Sequence, residues 1–178
     1  FAKEPAILVK LHYRFGSVLS GWGKHARGDF HMNKSAEIAE GLYGRESPDY
    51  VNARVAQCEI ERLGGDLPAA IAHCNEGLAL SKRIGNVPLQ RKAQLAQAKL
   101  DFENGRYRDA RTLLSPIVEK QERQEAKLDD DTLANANWFY ALSSRKLADY
   151  RNAETGFKRL VAIRLKQKGP NHPHTDRK

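Results

Sequence analysis

The segment Asn104-Gly105-Arg106-Tyr107-Arg108-Asp109-Ala110 carries the pattern that decides the fold. In it a small residue, a polar residue and a bulky apolar residue follow one another at Gly105-Arg106-Tyr107. The same order returns at three other places, Gly28-Asp29-Phe30, Gly65-Asp66-Leu67 and Ala148-Asp149-Tyr150. The copies are 37, 40 and 43 residues apart, a period typical of repeats built from two helices. The sequence therefore predicts a repeat array in which each bulky residue stands where a second helix begins.

Small residues keep a fixed distance from this pattern. Three residues after the bulky residue stand Asn33, Ala70, Ala110 and Ala153. Nine residues before it stand Gly21, Cys58, Ala98 and Ala141. The distance between two packed helices depends on the side chains at their contact, and small ones let the backbones approach closely. The two sets therefore predict the contact between the helices of each pair.

The segments around each copy have the spacing of helices. Leu95, Ala98 and Phe102 lie on or near one stripe of a helix, and sustained apolar–polar alternation, which would indicate strands, is nearly absent. Pro116 lies inside an apparent helix and predicts a kink, or a break after Leu114. We predict eight helices in four pairs: 5–26 with 29–43, 48–64 with 67–83, 88–104 with 107–126, and 131–147 with 150–167.

The last three pairs resemble tetratricopeptide repeats, most clearly in residues 104–110 and 148–157. The long period and the loop at 163–175 are similar to the kinesin-light-chain type of this repeat. The resemblance implies an all-α fold, a right-handed superhelical solenoid of about four antiparallel helix pairs. It implies a single repeat domain at 1–167, made of a degenerate first repeat or cap at 1–47 and repeats at 48–86, 87–128 and 129–167, followed by a basic tail at 168–178.

Proteins of this family are scaffolds, and the first helix of each pair lines a concave groove that binds a peptide or a protein segment. By distance from each bulky residue, the family's groove positions correspond to twelve candidate site residues. They are Asn52, Val55, Glu59 and Arg62, then Lys92, Leu95, Lys99 and Phe102, then Asn135, Trp138, Leu142 and Arg145. The degenerate first pair contributes Phe15, Val18 and Trp22.

The chemistry of these residues predicts an extended or helical partner segment that is acidic and has one or two bulky apolar residues. As a scaffold, the chain is expected to be the sensing or docking part of a larger signalling or regulatory protein. An asparagine such as Asn135 can both donate to and accept from the backbone of a bound segment. Lys92 and Lys99 favour carboxylates, and Trp138 can anchor an apolar side chain. The alternative is that the basic residues are ordinary solvated positions and that Trp138 belongs to the core.

Motifs for catalysis or metal binding are weak. The stretch Gly21-Trp22-Gly23-Lys24-His25 lacks the first glycine and the final hydroxyl of a phosphate-binding loop. The acidic run Asp129-Asp130-Asp131 precedes a helix, where carboxylates cap the helix and meet its dipole. None of the six histidines has the spacing of a helical zinc site. We therefore expect no enzyme activity, no cofactor and no metal.

The charge of the chain suggests a second class of partner. The 178 residues carry a formal net charge of +8, much of it near the C-terminus. A nucleic-acid-binding module acting through this basic end is the alternative function. However, residues 158–178 contain no aromatic side chain on which a base could stack, so we expect nucleic acid to be an unlikely partner. Self-association through exposed ends of the array stays open.

Location is predicted only by default. Cys58 and Cys74 are too few for a disulfide framework and are expected to be small core residues in a reducing compartment. No apolar run approaches the roughly 20 residues of a membrane span. Phe1 is not a start methionine and residues 1–5 lack the plan of a signal peptide, which suggests a fragment or a processed chain. The expected compartment is the cytoplasm, and no association with a membrane is expected.

Overall fold

A computed structural model describes residues 4–122 and 128–168, and these residues form eight α-helices and no strand. The prediction of an all-α chain is therefore confirmed for the part that is described. The helices are α1 (Glu4–Gly21), α2 (His25–Tyr43), α3 (Pro48–Gly64), α4 (Leu67–Ile84), α5 (Val87–Glu103), α6 (Tyr107–Glu122), α7 (Asp130–Lys146) and α8 (Tyr150–Lys168). The predicted break after Leu114 is wrong, because α6 continues through Pro116.

The chain divides into two compact units, Phe1–Gln97 and Ala98–Lys178, and the boundary falls within α5. In unit 1, α1 packs on α2, α2 on α3, and α3 on α4. In unit 2, α6 packs on α7 and α7 on α8. Each unit thus contains helices that pack against their neighbours in sequence, as a repeat array requires. The assignment of residues 1–167 to one domain stays a prediction.

Local side chains fix the helix ends of the second pair. Ser47 caps α3 by accepting a hydrogen bond from the Tyr50 backbone N–H, and Pro48 occupies the first turn, where its missing N–H costs nothing. Asp66 caps α4 in the same way through the backbone N–H of Ala69. Ser47 with Pro48 marks the start of α3, and Asp66 within the turn pattern marks the start of α4, so the predicted bounds 48–64 and 67–83 agree with the two helices to within a residue.

A left-handed turn residue stands two positions before each second helix. It is Gly23 (φ 73°), Gly65 (φ 86°), Gly105 (φ 75°) and Ala148 (φ 59°). The first copy of the repeat pattern is therefore Gly23-Lys24-His25, not Gly28-Asp29-Phe30. The repeat intervals become 42, 40 and 43 residues. The prediction of a first helix reaching residue 26 is wrong, because α1 ends at Gly21 and α2 already begins at His25.

The corrected register also explains the small residues of the first pair. Counted from His25, Gly16 stands at the place of Cys58, and Gly28 at the place of Ala70. A Cβ atom on Gly16 would lie 2.9 Å from the Gly28 carbonyl oxygen, and a Cβ atom on Gly28 would lie 3.0 Å from the Gly16 carbonyl oxygen. Two glycines are thus needed for the close contact of α1 with α2.

The two cysteines differ from the expectation. Cys58 on α3 and Cys74 on α4 are buried, their Cα atoms lie 5.0 Å apart, and a disulfide joins them. The prediction that they are unbonded core thiols is wrong, because the small-residue contact between the paired helices brings their side chains face to face. The cysteine content therefore gives no support to a reducing compartment.

Candidate protein-binding groove

Two cavities open along the first helices of the pairs in unit 1. One, of about 290 Å³, is lined by α1, α3 and α5 with a contribution from α2; the other has a volume of about 560 Å³. Tyr13 from α1, Asn52 from α3 and Lys92 from α5 line both. We call the two cavities together the unit 1 groove.

Five of the residues predicted from the sequence line this groove. They are Asn52, Val55, Glu59, Lys92 and Leu95. Asn52 is half-buried, and its amide has no hydrogen-bond partner among residues 4–122 and 128–168. Lys92 is exposed, and its ammonium group has no ion-pair partner within the same ranges. The groove therefore presents one amide and one cation whose bonding capacity the described chain does not use.

Glu59 and Arg62 form an ion pair along α3, with the Arg62 Nη2 and Glu59 Oε2 atoms 2.9 Å apart. The Arg62 side chain is nearly buried, and that of Glu59 is about one-quarter exposed. The two charges compensate each other, so Arg62 contributes little net positive charge to the groove. Among the groove residues predicted for unit 1, Lys92 is therefore the main source of positive charge.

The sequence pattern missed the contribution of α1. Ser17 and Ser20 line the smaller cavity, Lys10 lines the larger one, and Tyr13 lines both. Counted from His25, these four residues stand where Asn52, Val55, Glu59 and Arg62 stand before Leu67. The Gly23-Lys24-His25 copy of the turn pattern was the signal that could have identified them.

The predicted residues of the first pair lie elsewhere. Phe15, Val18 and Trp22 line a separate cavity of about 490 Å³ on α1, together with Arg27 of α2. The slip of five residues in the register accounts for this, since it turns the selected side chains to another face of the helix. Tyr13 takes their place in the groove, and burial raises the pKa of its phenol, with the charge of Arg14 acting in the opposite direction.

In unit 2, Phe102 and Lys99 of α5 belong to an aromatic cluster. The ring of Phe102 is half-buried, and its centroid lies 5.3 Å from that of Tyr107 and 5.6 Å from that of Phe139. The Lys99 ammonium lies 5.9 Å from the centroid of Phe139, within the range of a cation–π contact. Packing already occupies much of the surface of Phe102.

The α7 candidates are more accessible. Trp138 is 43% exposed, and its ring meets that of Phe157 edge-on at a centroid distance of 5.8 Å. Asn135 donates a hydrogen bond of 2.8 Å to the Asp131 carbonyl oxygen of its own helix. Arg145 is exposed, and Leu142 is half-buried. Trp138 is therefore not a core residue, contrary to the alternative that the sequence left open.

The acidic run and part of the basic end have structural partners. Asp129 caps α7 by accepting a hydrogen bond of 2.8 Å from the Thr132 backbone N–H, which confirms its predicted capping role. Arg164 pairs with Asp131 at 2.6 Å, and Lys158 pairs with Glu154 at 2.7 Å. These pairs reduce the positive charge that α8 offers to a polyanion. The rest of the basic end, residues 169–178 with His172 and His174, lies outside the described residues.

The described ranges offer neither a metal cluster nor a membrane span. Within residues 4–122 and 128–168, histidine, cysteine and carboxylate side chains do not gather in groups of three or more that could hold a metal ion. In those same ranges no helix is sufficiently long and apolar to cross a membrane.

Comparison with known proteins identifies the fold. No protein-family model matches the chain, and no curated protein matches its sequence. Among solved structures, BtubC (BKLC) from P. vanneervenii is similar, with a TM-score of 0.75 and 16% identity over 98% of this chain and 70% of that one. A putative kinesin light chain from Podosopora anserina with nearly identical TPR-like repeats also matches, with a TM-score of 0.75 and 16% identity over 97% and 82% of the two chains. A point variant of that kinesin light chain has a TM-score of 0.73 and 16% identity over 96% and 81%. The chain has the fold of a tetratricopeptide-like helical repeat.

Proposed function

We propose that the chain is a protein-interaction scaffold that binds a segment of another protein in the unit 1 groove. The observation that carries the proposal is the meeting of Tyr13, Asn52 and Lys92, from three different first helices, in the wall shared by two cavities. Asn52 and Lys92 keep their bonding capacity for a ligand. The fold shared with repeat proteins supports a binding role rather than a catalytic one.

The two cavities favour different parts of a bound segment. The smaller cavity has an apolar wall that includes Met32, Val55, Ile60 and Leu95, and it would accept a bulky apolar side chain. The larger cavity is bordered by three basic residues and one acidic residue: Lys10, Arg14, Lys92 and Asp49. This excess of positive charge favours carboxylates. The proposed ligand is an acidic segment with an apolar anchor.

The contacts within the groove would be made as follows. The Asn52 amide would donate to and accept from the ligand backbone, which fixes an extended segment without selecting its sequence. Lys92 would pair with a carboxylate of the ligand. The Tyr13 hydroxyl would donate a further hydrogen bond; burial raises its pKa above the ordinary value of 10.0, so it stays protonated at neutral pH. Trp138, Asn135 and Arg145 of unit 2 are proposed as a contact surface in their own right, independent of the unit 1 groove.

The test is selection of ligands from a display library of acidic, apolar-anchored peptides, followed by measurement of affinities for the purified chain. We expect Asn52→Ala and Lys92→Glu each to weaken the selected peptide by about tenfold, since each removes a hydrogen-bonded or charged contact. Lys166→Glu, on the exposed side of α8, is the matched control and should leave the affinity unchanged. Unchanged affinity in both groove variants would refute the groove assignment.

The nucleic-acid alternative is decided in the same experiment. Binding to single-stranded or double-stranded DNA that is lost on raising the salt concentration, with no peptide selected, would move the function to the basic end of the chain. Selection of peptides that Lys166→Glu weakens as strongly as Lys92→Glu does would show that net charge alone determines binding.

A further inference from the structure

The outer side of α1 carries a continuous apolar stripe. Leu8, Leu11, Phe15, Val18 and Trp22 follow one another at alternating spacings of three and four residues, the heptad spacing of a helix that packs along another helix. Their exposed fractions are 44, 43, 54, 47 and 71%. We call these five residues the α1 stripe. Such a run of exposed large side chains on one face marks an interaction surface.

The repeat register shows what this face does elsewhere in the chain. Three stripe residues stand fourteen, ten and seven positions before the first residue of α2: Leu11, Phe15 and Val18. The residues at the same distances before α4 are Ala53, Gln57 and Ile60, and those before α8 are Ala136, Tyr140 and Ser143. All six counterparts are buried. The α1 stripe is therefore exposed at positions that are covered in α3 and α7.

In α3 this face is covered by the second helix of the preceding pair. The Gln57 amide donates to the side-chain oxygen of Asn33 at 2.7 Å and to Asp29 Oδ1 at 3.2 Å, and both acceptors lie on α2. Tyr50, one turn before Ala53, is fully buried. By its register, the α1 stripe is a surface on which a helix stacks as α2 stacks on α3.

We propose that the α1 stripe binds an amphipathic helix of another protein, and that this helix carries carboxylates beside its apolar face. The positive charge around the stripe is the reason for proposing an acidic partner. Arg14 and Arg27 line the cavity of about 490 Å³ that Phe15, Val18 and Trp22 also line, and among the described lining residues none is acidic. Neither arginine is engaged in an ion pair with the described parts of the chain.

The same charges disfavour a second copy of the chain. In a two-fold pairing of α1 with its symmetry mate, each residue near the centre of the stripe meets its own counterpart. Arg14 lies beside Phe15 near that centre, so the two arginines would approach each other, and like charges at an interface are unfavourable. An acidic helix removes this repulsion and covers the same apolar area.

The proposal is tested on the full chain with a synthetic helical peptide of about 18 residues, carrying leucine and alanine at heptad spacing and glutamate at the flanking positions. A matched peptide has lysine in place of every glutamate. We expect the glutamate peptide to bind about tenfold tighter than the lysine peptide in fluorescence anisotropy. The Phe15→Asp/Val18→Asp double variant should weaken that binding by about tenfold or more, on the order expected for central apolar contacts.

Controls separate this surface from folding and from the groove. Val161→Asp/Leu165→Asp places two carboxylates on exposed apolar positions of α8 and should leave the affinity for the glutamate peptide unchanged. Thermal unfolding followed by circular dichroism checks that each double variant keeps its helices. Asn52→Ala should not alter peptide binding at the stripe, so a failure of the groove proposal and a failure of this one are distinguishable.

Three outcomes would overturn the proposal. Equal affinity for the glutamate and lysine peptides would remove the assignment of an acidic partner. Unaltered binding in the folded Phe15→Asp/Val18→Asp variant would remove the stripe as the binding surface. A dimer in sedimentation that this variant dissociates, with no binding of the glutamate peptide, would assign the stripe to a second copy of the chain.

Discussion

At the scale of single residues, the turn before α8 departs from the other three. Ala148 has a φ of 59°, whereas glycine occupies the equivalent left-handed position before α2, α4 and α6. A Cβ atom in this region of backbone space costs roughly 1–2 kcal/mol, and glycine avoids that cost. The turn geometry is therefore retained in the fourth pair even though the residue best suited to it is absent.

We expect Ala148→Gly to raise the free energy of unfolding by up to about 1 kcal/mol, because relief of the strained backbone exceeds the added flexibility of the unfolded chain. Urea denaturation measures the change. The reverse substitution at the equivalent turn, Gly105→Ala, should lower the free energy of unfolding by a similar amount. A destabilised Ala148→Gly variant would contradict the role of this residue.

The carboxylate of Glu76 links the start of α3 to α4. Burial raises its pKa. Hydrogen bonds from Arg45 and from the Tyr50 hydroxyl, together with the charge of Arg54, lower the pKa by a larger amount, so that it lies below the ordinary value of 4.5. The Tyr50 hydroxyl donates to Glu76 at 2.9 Å. A lowered pKa stabilises the fold at pH values above the ordinary one, and this contribution is lost as the pH falls through the folded-state pKa.

Replacement of Glu76 by glutamine should therefore have a pH-dependent effect. At pH 7 we expect Glu76→Gln to lower the free energy of unfolding by on the order of 1 kcal/mol, because it removes charge-assisted hydrogen bonds. The difference from the unmodified chain should shrink as the pH is lowered below the ordinary value of 4.5, since protonation of the Glu76 carboxylate then removes its charge. Chemical denaturation at several pH values measures it, and a difference that stays constant with pH would exclude the ionised carboxylate as its cause.

At the scale of helices, the sequence located the later pairs well and failed at the first. Capping side chains and turn glycines bracket α3 and α4, and a pattern search detects both. In the first pair, Gly28 followed by Asp29 and Phe30 imitates the turn pattern although it lies inside α2. A sequence does not distinguish a glycine needed for a left-handed turn, such as Gly23, from one needed for close packing, such as Gly28.

Two glycines of α2 provide a test of this distinction. A Cβ atom on Gly28 would meet the Gly16 carbonyl oxygen at 3.0 Å, whereas a Cβ atom on Gly41 would have no neighbour within 4 Å. We expect Gly28→Ala to destabilise the chain by about 1–3 kcal/mol through overpacking. Gly41→Ala should stabilise it by about 0.5–1 kcal/mol, since alanine favours the helix. Thermal and urea unfolding would show the opposite signs, and equal effects would refute the packing role of Gly28.

At the scale of the whole molecule, the resemblance located part of the candidate groove. Asn52 and Lys92 were found because the register of the second and third pairs was right, and Tyr13 was missed because the register of the first was not. The ion pair of Glu59 with Arg62 and the aromatic packing of Phe102 depend on three-dimensional neighbours that the repeat pattern does not encode. The sequence gives the candidate positions, but only the structure shows which of these side chains already contact other residues of the chain and which can still contact a ligand.

The net charge of +8 should make the molecule sensitive to salt in a way that separates its two proposed types of partner. Non-specific association with DNA depends on counterion release, so we expect it to fall by orders of magnitude between about 50 and 200 mM salt. Binding of an acidic, apolar-anchored peptide should fall much less, because its anchor lies in the cavity. Anisotropy titrations at the two salt concentrations measure both, and an equally steep loss for the peptide would indicate purely electrostatic binding.

The left-handed residue before each second helix is the point from which the groove positions of the first helix are counted. Side chains advance by about 100° around a helix with every residue, so the number of residues counted back from Gly65 determines which of them enter the groove. Deleting one residue of α3 between Asn52 and Gly65 would rotate Asn52 by about 100° around the helix relative to the turn, and so turn it away from its cavity. A residue added to the connection before α3 would leave the number of residues between Asn52 and Gly65 unchanged. Repeats of this chain can thus differ in length in their outer connections while keeping the same set of groove positions.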